Sequence, residues 1–277
     1  MIRKTLLAIA CGGFLLGAQA QSLQEIVDAR PAEMKQRDNQ RNPIETLTFF
    51  DVQPGMTVAE ALPGGGWYTR IIAPLVGSEG TMYGINYNDD MWARFGFFTE
   101  EAIKDQIERT TQFPGMVAEI TENAPAAEGF TFATVPDSAK GTADRILFIR
   151  ALHNLNRFEE EAQTMTNALT AAHMLLKEDG KIGVVQHRAP ESANDAWANG
   201  SAGYLKQSTV ISLFEKAGFK LVAKSEVNAN ENDNPTEADI VWRLPPTYFG
   251  AGDDADKRAA ADAIGESDRM TLLFEKQ

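Results

Sequence analysis

Residues 56–67 read Met-Thr-Val-Ala-Glu-Ala-Leu-Pro-Gly-Gly-Gly-Trp: a short apolar run, one acid at Glu60, and a turn of three glycines. Pro54-Gly55 punctuates the start, and an apolar run bounded by turns on both sides reads as a strand buried in a parallel sheet. Gly64, Gly65 and Gly66 let the backbone turn tightly and pass close to a bound molecule without a Cβ clash. From Trp67 to Val76, the residues Ile71, Ile72, Leu75 and Val76 fall at helical spacing, with Pro74 expected to kink or shorten the helix. Residues 80–86, Gly-Thr-Met-Tyr-Gly-Ile-Asn, form a second strand. In such a strand, turn, helix, strand unit the ligand lies beyond the carboxyl ends of the strands.

The same alternation continues to the C-terminus. Strands are expected at 130–135, 144–149, 181–187, 219–227 and 269–274, with helices at 99–110, 158–176 and 208–217 between them. Thr99 is placed to cap the first of these helices and Gly218 to close the last. This is the pattern of an α/β doubly wound sheet. Residues 21–50 read as an N-terminal helical cap broken at Asn42-Pro43, and 51–277 as the domain proper. A polar excursion at 228–268 carries Pro245-Pro246-Thr247-Tyr248-Phe249, a candidate lid, and an alanine-rich acidic helix.

Residues 1–20 place Arg3 and Lys4 before the apolar run Leu6 to Gly17 and end in Ala18-Gln19-Ala20, the order of a secretory signal peptide. The run is too short to span a bilayer, which takes roughly 20 apolar residues, and no stable membrane insertion is expected after cleavage. Cys11 lies within it, so the remaining chain has no thiol, which fits a periplasmic or secreted protein. With Arg3 and Lys4 removed from the 26 basic residues, 24 face 39 acidic ones. Such a surface repels phosphate backbones, so nucleic acid is not an expected partner. The sequence leaves the oligomeric state open.

The spacing Glu60-x-x-x-Gly64-x-Gly66 resembles motif I of class I S-adenosylmethionine-dependent methyltransferases, with Leu62 standing where the first glycine of that motif belongs. The block from Phe49 to Gly77, Arg37-Asp38, Arg41-Asn42-Pro43, and the segments RALHNL, AAHMLLKEDGKIGVVQHRA, EKAGFKLVAKSEV and SDRMTLLFEKQ are similar to a family of predicted bacterial methyltransferases, many of them with signal peptides. The resemblance implies a Rossmann-like class I methyltransferase fold: a mostly parallel seven-stranded sheet with helices on both faces and the last strand antiparallel. It implies S-adenosylmethionine as cofactor, with Pro63, Gly64, Gly65 and Gly66 along its methionine and ribose and Glu60 toward its amino group. Asn86 ends the second strand where an acid usually holds the ribose, with Asp89 and Asp90 as substitutes, and Asp137 is the candidate for the adenine amino group.

His153 and Asn154 follow the fourth strand and His187 ends the fifth, at the edge where the acceptor would lie, so a neutral imidazole there is a candidate general base. With His173 inside a helix and no paired-histidine spacing, no metal site is expected. A dinucleotide site would need glycine at Thr69, and no nucleophile elbow of the serine hydrolases is present. The expectation is therefore methyl transfer to a small-molecule acceptor, with an exported binding module that keeps the fold as the alternative.

Overall fold

The computed structural model describes residues 21–277, so the expected signal peptide at 1–20 lies outside the described residues. Four short helices open the described chain: α1 (Leu23–Ala29), α2 (Ala32–Lys35), α3 (Asp38–Arg41) and α4 (Pro43–Phe49). Ser22 and Glu25 form a reciprocal capping box at the start of α1. Asn42, at φ 42°, makes the break expected before Pro43, because asparagine tolerates the left-handed conformation and proline suits the first helical position.

The sheet contains β1 (Thr57–Ala61), β2 (Thr81–Asn86), β3 (Ala126–Thr131), β4 (Ala143–Ile149), β5 (Leu176–Ala189), the two-residue β6 (Leu205–Lys206), β7 (Phe219–Ser225) and β8 (Arg269–Lys276). Its order is β3-β2-β1-β4-β5-β8-β7, with β6 beside β5. The neighbours from β3 to β5 are parallel, and β8 runs antiparallel to both β5 and β7. The chain winds outward from β1 through β3, then returns to β4 on the other side of β1, so the strand-order switch lies between β1 and β4.

Alternate residues feed two cores, as period-2 side chains must. Val58, Met82, Leu147, Val185 and Leu273 face a layer containing Ile26, Leu47 and Phe50 from the N-terminal helices and Ile71 and Ile72 of α5 (Thr69–Val76). Ala59, Ile85, Ile146, Phe148 and Val184 face the opposite layer, which includes residues of α6 (Asp89–Arg94). Pro74 is accommodated inside α5, which ends at Gly77.

Several expected elements differ in their bounds. The helix α7 runs from Glu100 to Ile120, past the expected end at 110, with the Thr99 side chain accepting from the Ala102 amide. Strand β3 starts four residues before the expected position, because its register puts Gly129 beside Gly84 under α7. A Cβ on Gly129 would lie 1.8 Å from the Thr110 carbonyl oxygen, and one on Gly84 would meet the Phe113 ring at 2.4 Å. Close seating of α7, more than the apolar run at 130–135, sets that strand.

The expected helix at 158–176 is divided into α9 (Glu159–Ala162) and α10 (Thr164–Leu175), following α8 (Leu152–Arg157). Gln163 breaks it at φ 53°, and the Glu159 carboxylate accepts from the Met165 and Thr166 amides, capping α10. After α11 (Gln207–Lys216) and β7, the 228–268 excursion is an ordered flap that includes α12 (Ala255–Ile264), whose N-terminus Asp254 caps. Asn228 ties the flap to Thr46 and Thr271, while Glu266 binds Arg37, Arg41 and Arg269.

Candidate functional site

Beyond β1 the backbone rises into the glycine turn. The Leu62 amide donates to the Ile85 carbonyl at 2.7 Å, and its φ is 57°. That left-handed conformation is free to glycine and costs a leucine about 1–2 kcal/mol. Gly64 and Gly66 follow at φ 57° and 75°, and the Gly66 amide closes the turn on the Pro63 carbonyl at 2.9 Å. The backbone thus keeps a glycine path even where leucine stands. Across the switch, Arg150 directly after β4 repeats the device: φ is 58° and its amide donates to the Val185 carbonyl at 2.6 Å.

Between these two bends opens a cavity of about 1030 Å³. Leu62, Pro63, Gly64, Asn86 and Tyr87 line it from the ends of β1 and β2, and Arg150, Asn154 and Arg157 from the β4 side. Trp92, Phe95, Phe97 and Phe98 come from α6 and the turn after it; Gln106, Arg109 and Thr110 are among those from α7. Ile240, Trp242, Thr247 and Phe249 complete it from the flap. Phe97 and Phe249 are 69% and 65% exposed, so apolar rings stand in solvent on both sides of the mouth.

The expected site residues divide into three groups. Pro63, Gly64, Asn86 and Asn154 line the cavity. Asn86 is also committed elsewhere: its amide donates to the Gln106 carbonyl and Thr110 Oγ1, each at 3.0 Å, and accepts from the Tyr87 amide at 2.9 Å. Glu60, Gly65, Gly66, His153 and His187 are close in the chain or behind the wall but not on it. Asp137 is apart, with its side chain 94% exposed and paired with Lys140. Asp89 and Asp90 are exposed in the first turn of α6.

Glu60 is buried beneath the turn, where Thr69 Oγ1 donates to its carboxylate at 2.7 Å. Burial pushes its carboxyl up to about 7, and the hydroxyl offsets only part of that. His153 and His187 face each other with ring centroids 5.4 Å apart, and His153 packs edge-on against Trp242. Their Nδ1 atoms are in hydrogen bonds with Gln186 Oε1 and Ser267 Oγ. Burial brings His153 down to about 4 and His187 well below its ordinary value, so both rings are neutral at pH 7.

Trp67 and Tyr68 turn away from the site. The indole donates to the Met34 carbonyl at 3.1 Å and lies under the guanidinium groups of Arg30 and Arg41; the phenol donates to the Arg41 carbonyl. They anchor the N-terminal helices. Thr247 and Phe249 of the candidate lid line the cavity, whereas its arginines and the flap residues Ile240 and Trp242 were not expected there. Arg150 opens the RALHNL segment and Arg157 follows it by two residues, but nothing local distinguishes them from arginines in surface ion pairs.

No family model matches the chain and no curated protein matches it. Among solved structures it is similar to a protein described as a sarcosine dimethylglycine methyltransferase from Galdieria sulphuraria, at 12% identity, with 91% of this chain and 89% of that one covered and a TM-score of 0.52. It is also similar to the [4+2]-cyclase SpnF, at 13% identity over 86% of this chain and 80% of that one, with a TM-score of 0.50. With the strand order and the single antiparallel β8, these likenesses establish a class I methyltransferase-like, Rossmann-like α/β fold.

Proposed function

We propose that the chain binds S-adenosylmethionine in this cavity and transfers its methyl group to a small-molecule acceptor. The observation that carries the reading is the turn at the switch point: left-handed bends at Leu62 and Gly64 open onto the cavity, and a Cβ on Gly64 would meet only the Leu62 carbonyl, at 3.9 Å. The volume is at the top of the roughly 300–1,000 Å³ range of ligand pockets, which suits a cofactor together with an acceptor. Bound S-adenosylmethionine supplies an electrophilic methyl group on a cationic sulfonium. Gly64 and Pro63 give its nucleoside and methionine room, while Gln106, Thr110 and backbone carbonyls offer hydrogen bonds. Catalysis then rests on alignment and exclusion of water by the aromatic walls. His153 and His187 serve by holding Trp242 and the β5 edge in place.

Among the described residues no carboxylate lines the cavity, so neutral groups take the part that acids play in motif I enzymes. That departure, with Leu62 in a glycine position, favours the second reading: a binding module that keeps the fold. A neighbour named as a cyclase is a reminder that this fold alone does not set the reaction. Titration calorimetry with S-adenosylmethionine and S-adenosylhomocysteine separates the two. Saturable binding of both is expected; no heat at millimolar ligand would overturn the cofactor reading. Export belongs to the same proposal, and the mature protein is expected to begin at Gln21. An intact mass that retains residues 1–20 in the native host would refute it. No helix among the described residues is long and apolar enough to cross a membrane.

A further inference from the structure

Thirteen arginines fall among the described residues, and all but Arg70, Arg109, Arg150, Arg157 and Arg258 have a carboxylate within 4.0 Å. Three of those five, Arg109, Arg150 and Arg157, line the cavity beside the glycine turn, in a chain whose formal charge is −13. Acids are abundant, yet among the described residues none lines that cavity. None of the three has a carboxylate within 4.0 Å, so an anion that enters the cavity meets positive charge that no side-chain ion pair occupies.

Their settings differ, which argues against chance. Arg150 is held at a left-handed bend on the sheet edge. Arg157 lies over the rings of Phe95 and Phe158, at 5.9 and 5.1 Å, so its guanidinium is braced rather than free. Arg109 stands on the exposed face of α7. Around them the walls are aromatic. Two buried polar atoms of wall residues, Trp92 Nε1 and Asn154 Oδ1, have no hydrogen-bond partner. Trp92 is 8% exposed, so its unpaired donor is withheld from bulk water.

We infer that the compound this cavity takes beside the glycine turn is an apolar organic anion, its ring or chain against the aromatic wall and its acidic group among Arg109, Arg150 and Arg157. The inference rests on the reading above, in that it names the acceptor's class. A cationic sulfonium would add to the positive charge of three arginines, and an anionic acceptor balances the site. The planar guanidinium fork suits a carboxylate, sulfonate or phosphate oxygen pair.

Two fluorescent probes with the same apolar body isolate the charge: 8-anilinonaphthalene-1-sulfonate and neutral N-phenyl-1-naphthylamine. The folded full chain is expected to bind the sulfonate at least about tenfold more tightly, a difference worth about 1.4 kcal/mol. Arg157→Gln and Arg109→Gln, both on partly or fully exposed positions and so tolerated by the fold, should each erase most of that preference while leaving the neutral probe unchanged. Arg150→Gln should do the same if it folds, as judged by its near-UV circular dichroism. Equal binding of the two probes by the wild type, or a preference that survives both exposed substitutions, would overturn the inference. Sulfonate preference in a protein that fails to bind S-adenosylmethionine supports this inference and overturns only the cofactor reading.

Discussion

Leu62, Gly65 and Gly66 show how much a turn depends on single residues. Gly66 is at φ 75° and a Cβ there would come within 2.8 Å of Met116 Sδ, whereas Gly65 has a permissive φ and nothing within 4 Å. Gly66→Val should therefore destabilise by about 2 kcal/mol, and Gly65→Val by less than about 0.5 kcal/mol, as read from urea midpoints. Equal effects would mean the turn does not have this geometry. Gly64→Asn is the sharper probe of ligand entry. Asparagine tolerates left-handed φ, so the fold should survive with a small shift in melting temperature while an amide enters the cavity. S-adenosylhomocysteine affinity should fall by about tenfold or more, a loss of about 1.4 kcal/mol. The glycines and Glu60 were legible from their order in the chain. That Leu62 adopts a glycine conformation, and that Glu60 sits below the cavity holding Thr69, follows from three-dimensional closure.

At the scale of elements, α7 decides both a strand and a wall. Gly129→Ala would place a Cβ against the Thr110 carbonyl, which is backbone and cannot swing aside. The helix must lift, and a loss of about 2–3 kcal/mol is expected by chemical denaturation. Gly115→Ala in the same helix meets nothing within 4 Å and should gain about 0.5–1 kcal/mol from helix propensity. A similar effect of the two would show that α7 is not seated on β3. Alternating strands and helices could be read from apolar periodicity because each element buries a local face. The register of β3, the Gln163 break and the full length of α7 could not, because each depends on which backbone lies opposite. The flap is the clearest case. Its sequence from 228 to 268 is polar and punctuated by proline, and its order comes from distant partners such as Thr46, Arg37 and Arg41.

For the whole molecule, two buried histidines and one buried acid set opposing responses to pH. His153 titrates near 4 when folded and near 6.5 when unfolded, so its contribution is present above about pH 6.5 and lost as pH falls toward 4; His187 acts in the same direction. Glu60 does the reverse. Its folded value of about 7 exceeds its ordinary 4.5, so its contribution is full below 4.5 and lost as pH rises through 7. Glu60→Gln removes the second effect alone. Its stability relative to the wild type should rise from near zero at pH 4.5 to about 3 kcal/mol at pH 8 in urea unfolding, and a pH-independent difference would place Glu60 in contact with solvent.

By itself the sequence determined the α/β class, the position of the glycine turn at a strand end and the alternation that builds the sheet, because these depend on neighbours within a few residues. Only the tertiary structure decided which residues face the cavity. Arg109, Arg150, Arg157 and the flap's Trp242 come from separate parts of the chain, and their shared exposure to one cavity arises when β4, α7 and the flap close over the strand-order switch.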